Sequence, residues 1–216
     1  IMNKKDFTFI VPAAGQSKRF KSKKSKIFYK YKNQALILHV LDKCLKFTNN
    51  IIVISNKQNF KDLKIHLKKY KNIKFKILIQ KTPKGMGHAI NIAMKNVKSK
   101  YSSVIWSDQI YLSKATMKKT INFFIKKKGI LCFPVYRKKL PYTYILRDKN
   151  KNFKDIVQTR ETKKKVKFGE SDCGFFVFQS NIVREKLKLF IKKNMLYTAK
   201  TKKVDFLKSF KFLNKL

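Results

Sequence analysis

FTFIVPAAGQSKRF, Phe7 to Phe20, is the stretch from which the rest of the chain can be read. Phe7 to Val11 is an apolar run rich in aromatic and β-branched residues, which predicts a buried strand. It runs into Ala13, Ala14 and Gly15, whose small side chains let backbone N–H groups approach an anion closely. Arg19 and, past a lysine-rich stretch, Lys26 in SKIF (Ser25 to Phe28) supply cations that neutralise phosphate. Strand, small-residue turn and cations in this order predict a phosphate-binding loop at a strand's carboxyl end. Many such turns are purely structural, so the reading depends on the rest of the chain.

Outward from this stretch, strand-like runs recur at 51–55, 73–79, 104–107 and 130–135. Segments of helical period lie between them at 35–47, 60–70, 88–97 and 114–127. Strict β and α alternation predicts parallel strands joined by right-handed crossovers, with helices on both faces. The expected fold class is therefore α/β, a Rossmann-like three-layer α/β/α architecture with a mostly parallel sheet and ligands beyond the strands' carboxyl ends. After Val135 the rhythm changes. Strand-like runs at 142–147, 153–159 and 171–179 predict a β-rich insertion over the sheet, and 182–192 and 204–216 read as amphipathic helices. No repeat or flexible linker interrupts the chain. The expected organisation is a single domain over 1–216, with an alternating β/α half (7–135), a β-rich region (136–180) and C-terminal helices (181–216).

A formal net charge of +43 suggests a polyanion partner. Of the 54 basic residues, however, only five are Arg, the residue favoured for base edges and bidentate phosphate contacts. The lysines are also spread along the whole chain, so weak nonspecific polyanion binding is expected and specific nucleic-acid recognition is not. Cys44, Cys132 and Cys173 form no C-x-x-C pair and are odd in number, which points to a reducing, cytoplasmic setting. The first apolar run is too short to span a bilayer and lacks a signal-peptide cleavage region.

Three further motifs give the opening stretch its context. AAGQSKRF followed by Ser25-Lys26 and by His39-Val40-Leu41 resembles the opening A-A-G-x-G-x-R-M, P-K and H-V-L of the sugar-nucleotide pyrophosphorylase superfamily, which includes the MobA-like NTP transferases. QKTPKGMGHAINIA (Gln80 to Ala93) resembles the Q-x-x-x-x-G-T-G-H-A segment of N-acetylglucosamine-1-phosphate uridylyltransferases, with Met86 in place of the family's Thr. VIWSDQIYL (Val104 to Leu112) corresponds to a strand followed by G-D-x-P-L. Further on, 142–161 resembles the family hairpin and ESDCGFFVF (Glu170 to Phe178) resembles E-I-N-T-G-I. The resemblance covers roughly 7–180.

The resemblance implies a GT-A-like fold and a Mg²⁺-dependent nucleotidyltransferase, with an NTP (UTP or CTP) and a phosphorylated small molecule such as a sugar 1-phosphate as its ligands. It implies catalytic roles for Arg19, Lys26 and Asp108, and nucleotide contacts at Ala13, Ala14, Gly15, Gln80 and Gly85. Acceptor contacts would fall to Thr143, Gln158, Glu161 and Asp172, and metal binding to Asp108 with Asp205. A carboxylate closing a buried strand is costly unless paired or metal-bound, which independently singles out Asp108. His88 opens a helix and reads as structural. A cytidylyltransferase acting on a phospho-alcohol and a non-catalytic polyanion binder on the same fold are the alternatives. VDFLKSFKFL near the end reads either as the source of the second metal ligand or as a helix preceding an absent last strand.

Overall fold

The computed structural model describes residues 3–15, 25–162 and 166–215. Among these, six strands form a central sheet in the order β5-β4-β1-β6-β12-β7. They are β1 (Phe7–Pro12), β4 (Ile51–Ser55), β5 (Lys76–Ile79), β6 (Tyr101–Ile105), β7 (Leu131–Cys132) and β12 (Phe175–Gln179). β5, β4, β1 and β6 pair in parallel. β12 runs antiparallel to both β6 and β7. The α/β architecture with a mostly parallel sheet is as expected.

The apolar runs are continuous because both faces of each strand are buried. Phe7, Phe9 and Val11 of β1 face one core, which they share with α1 (Leu36–Cys44), α2 (Phe60–Leu67) and α4 (Lys114–Lys127). Ile10 faces the other core, built from α3 (Met86–Met94), α5 (Ser180–Lys192) and α6 (Phe210–Leu213). β12 alternates in the same way, with Phe175 and Val177 toward the first core and Phe176 and Phe178 toward the second.

Several boundaries differ from the sequence expectation. The run 130–135 is divided between β7 and β8 (Val135–Lys139), because Pro134 has no N–H to continue a ladder. The run 171–179 is divided between β11 (Phe168–Asp172) and β12, since Gly174 turns the chain at φ +68°. β12 therefore belongs to the main sheet and not to the overlying layer. β6 begins three residues before the expected 104, at Tyr101, where buried Ser102 and Ser103 disguise a strand as polar. A short hairpin, β2 (Lys30–Tyr31) and β3 (Gln34–Ala35), went unanticipated; it turns through Lys32 and Asn33, both at positive φ.

The overlying layer consists of two antiparallel pairs, β8 with β11 and β9 (Thr143–Arg147) with β10 (Phe153–Gln158). Among the described residues of the expected tail helix 204–216, only a 3-10 turn, Leu207–Ser209, and α6 are helical. Before them, Val204 is extended and bonds to the chain ahead of α3: its N–H donates to Lys84 O at 2.9 Å and its carbonyl accepts from Gly87 N at 2.9 Å. Phe206 then enters an aromatic cluster with Phe176, Phe178 and Phe210. Phe206 is fully buried. Phe206→Ala should therefore destabilise the fold by about 3–5 kcal/mol. Denaturant unfolding measures this, and a loss below about 1 kcal/mol would mean that the tail is not part of the core.

Candidate active site

A cavity of about 400 Å³ opens where the carboxyl ends of β1 and β6 meet the β8–β11 layer. This is within the usual size of a small-molecule site. Its floor is Pro12, Ala13 and Gly15 after β1, and Trp106, Ser107 and Asp108 after β6. Because β1 and β6 are adjacent parallel strands, the two loops emerge side by side.

Lys26 and Asp108 meet there, with Nζ 2.5 Å from Oδ2. Their side chains remain 44% and 37% exposed, so the pair is poised at the cavity wall and solvent weakens its contribution to stability. Lys26 opens a 3-10 turn after Ser25, whose φ of −63° lies close to the value a proline ring imposes. Serine thus preserves the path that the related P-K motif takes. Ala13 N donates to Ile54 O at 2.7 Å, extending the ladder, while the carbonyls of Ala13 and Ala14 accept from Asn59 and Asn56. These two asparagines of the β4–α2 connection were missed in the sequence. An N-x-x-N pair directly after a buried strand is the available signal.

The wall opposite carries the acceptor candidates. Thr143, Gln158 and Asp172 line the cavity. Asp172 accepts from the Thr143 hydroxyl and, through Oδ1, from Gly174 N at 2.8 Å, so it also fixes the turn between β11 and β12. That turn abuts Trp106, and Trp106 N donates to Gly174 O at 3.0 Å. Gln158 Nε2 donates to Asp205 Oδ2 at 2.7 Å, and Asp205 Oδ1 accepts from Leu207 N at 3.0 Å. Asp205 thereby joins the same cavity from a segment 97 residues beyond Asp108 in sequence (205 − 108). Tyr142, which opens the hairpin motif, also lines it, as do Tyr136, Thr198, Thr201 and Lys203, which no motif in the sequence announced.

Three expected site residues lie elsewhere. Gln80 is buried behind the wall, where its amide nitrogen donates to Gly85 O and contacts His88 Nδ1, both at 3.0 Å. Glu161 sits outside the cavity and accepts from Lys200 N at 3.4 Å. Ala14 is buried beside the cavity without lining it. Arg19 lies outside the described residues.

Glycines at the site have different physical reasons. Among the described residues, a Cβ on Gly15 would meet nothing within 4 Å, and Gly15 lines the cavity. Gly85 has φ +100°, and a Cβ there would lie 2.5 Å from Val204 O, so its smallness serves contact with the chain itself. Burial raises all three thiols, Cys173 to about 11 with Asp172 adding to the effect, which disfavours their thiolate forms near neutral pH.

Among the described residues, no three His, Cys, Asp or Glu side chains converge as a metal cluster. Among the same residues, three carboxylates line the cavity, Asp108, Asp172 and Asp205, of which Asp172 already accepts from the Thr143 hydroxyl and Gly174 N. Oxygen ligands this few do not suit zinc, but suit Mg²⁺, which keeps several waters and takes one or two carboxylates together with substrate phosphates.

With this geometry in place, comparison with known proteins decides the family. The MobA-like NTP transferase domain matches residues 9–171. The chain belongs to the MobA-like NTP transferase family. This MobA-like chain is 30% identical over 186 residues to the bifunctional protein GlmU of Caldicellulosiruptor saccharolyticus, covering 82% of this chain and 39% of that one. It thus spans about two fifths of the length of the curated relatives it matches. Its fold matches the inositol-1-phosphate CTP transferase of T. maritima with a TM-score of 0.74 at 15% identity, covering 100% of this chain and 83% of that one. It matches UDP-glucose pyrophosphorylase complexed with UDP-glucose with a TM-score of 0.73 at 14% identity, covering 96% and 86%. Among the described residues of the MobA-like chain, no helix is long and apolar enough to cross a membrane.

Two outcomes follow from this arrangement. Gly85→Ala should lower stability by about 2 kcal/mol or more, while Gly15→Ala stays within about 0.5 kcal/mol. Equal thermal shifts in the two variants would contradict the distinction. Burial, then Lys84 and Lys95, hold the His88 pKa below its ordinary 6.5. The unfolded chain therefore takes up a proton at higher pH than the folded one, and the stability that neutral His88 preserves is lost as pH falls through 6.5. Melting curves from about pH 8 to about pH 5 should show a shallower acid decline for His88→Gln, and identical slopes would refute this.

Proposed function

We propose that the domain transfers a nucleotidyl group from an NTP, UTP or CTP by the resemblance, to the phosphate of a small phosphorylated acceptor such as a sugar 1-phosphate, with release of pyrophosphate. The observation that carries this reading is the Lys26–Asp108 pair at the joined ends of β1 and β6, in a cavity that also holds Thr143, Gln158 and Asp172. The family match supports it.

The acceptor's phosphate is already ionised at neutral pH, so its oxygen attacks the α-phosphorus in line without a general base. A new P–O bond forms, the bond from the α-phosphorus to the bridging oxygen breaks, and the electron pair leaves with pyrophosphate. The protein's task is then positioning and charge neutralisation. Lys26 neutralises the phosphate chain, helped by Arg19 in the resemblance. Ala13 and Gly15 leave room for the nucleotide, and Gly85 lines the same cavity. Thr143, Gln158 and Asp172 face the acceptor and, with Tyr136 and Tyr142, give that end a hydroxyl- and aromatic-lined wall. Asp108 and Asp205 would hold Mg²⁺, which supplies Lewis-acid charge stabilisation when bound.

Pyrophosphate release, assayed with each of the four NTPs against a panel of sugar 1-phosphates and phospho-alcohols, tests the reading and selects the substrates. Asp108→Ala and Lys26→Ala should each lower the rate roughly 10²- to 10³-fold. Wild-type rates in both variants, or no NTP uptake by calorimetry in magnesium, would sink the assignment.

A further inference from the structure

The segment that carries Asp108 lies between the end of β6 at Ile105 and the start of α4 at Lys114 and has no regular structure of its own. On one side, Trp106 is held against the Gly174 turn. On the other side, α1 sends Lys43 across to it. Lys43 Nζ donates to Gln109 O at 3.3 Å and to Ile110 O. These are the two carbonyls that follow Asp108 directly. Ile110 N in turn donates to Asp108 O at 2.9 Å, closing a tight turn around the carboxylate-bearing residue. Tyr31 of the β2–β3 hairpin meets Tyr111 edge-on, with ring centroids 6.1 Å apart, and ties the far end of the same segment.

Most lysines of this chain point into solvent, whereas Lys43 is half-buried and aimed at backbone. Its neighbours on α1, Val40, Leu41 and Cys44, are buried in the core, so the helix that bears it is rigid. Among the described residues no carboxylate pairs with Lys43. Hydrogen bonds from an ammonium group to carbonyls are charge-assisted and stronger than those between neutral groups. Two of them on consecutive peptide planes restrict the rotation that would swing Asp108 away from Lys26.

We propose that Lys43 is a positioning residue: its ammonium group holds the Gln109 and Ile110 carbonyls and thereby fixes where Asp108 presents its carboxylate. Lys43 does not line the cavity and lies beyond the His39-Val40-Leu41 motif. Its effect on rate rests on the nucleotidyl-transfer reading, while its effect on the segment does not.

The test uses Lys43→Met, which keeps the apolar stem and removes the donors, and Lys43→Arg, which keeps charge and donors. Trp106 is the chain's single tryptophan, so acrylamide quenching of its emission reads this strand end without any assay of activity. Lys43→Met should increase the quenching, lower kcat about 10- to 100-fold and leave the KM for NTP within about threefold, with Lys43→Arg recovering most of both losses. Far-UV circular dichroism checks the fold. If Lys43→Met does not fold, Lys43→Gln, polar but too short to reach both carbonyls, takes its place with the same expectations. Unchanged quenching and kcat would overturn the proposal, as would an arginine variant as impaired as the methionine one. If wild type releases no pyrophosphate from any NTP, the nucleotidyl-transfer reading fails instead, and Trp106 quenching alone decides the positioning role.

Discussion

The parallel pairing of β1 with β6 is the constraint from which the site follows. Neighbouring parallel strands end at the same edge of the sheet, so the loops leaving them have to share the space beyond it. One loop brings an ammonium group and the other a carboxylate, and Lys26 and Asp108 meet at 2.5 Å. In a chain with 54 basic and 11 acidic residues, a carboxylate at this point counts for more than one on a mixed surface. Half-exposed as both groups are, each stays available to a ligand of the opposite charge.

Around that edge, the structure consists of segments that press two walls together. The Gly174 turn, shaped by Asp172, bears on Trp106 and joins the β9–β11 side of the cavity to the end of β6. The extended segment at Val204 bonds to the chain before α3, and the next residue, Asp205, reaches Gln158 on β10. A single stretch of chain thus touches both the glycine-rich turn at 85–87 and the β10 side of the cavity. The aromatic cluster of Phe176, Phe206 and Phe210 anchors this stretch in the second core. Burial of large aromatic side chains makes it an integral part of the fold, where a polar tail would fray.

Much of this could be read from the chain. β1, β4 and α4 carry long apolar periods with clear punctuation, and Ser113 caps α4 through Thr116 N. β6 was obscured because Ser102 and Ser103 are buried by tertiary packing despite their polarity. The extent of the tail helix was misread because the buried pattern of Phe206, Leu207, Phe210 and Leu213 fits helical spacing, while Val204 and Asp205 are drawn into extended bonding by partners far away in sequence. Gln80 reads as a base-contacting amide in a motif, yet its amide nitrogen is already engaged by Gly85 and His88.

By itself, the sequence determined the alternation of strand and helix, the mostly parallel sheet, the family and the two strand ends that border the cavity. Each of these depends on local period, on side-chain size or on a charge next to its own strand. Only the tertiary structure decided that β12 returns antiparallel beside β6, that Asp205 joins Gln158, and that Lys43 grips the loop behind Asp108. Those contacts join residues distant along the chain, and their geometry is set by packing two cores against one sheet, which no local pattern encodes.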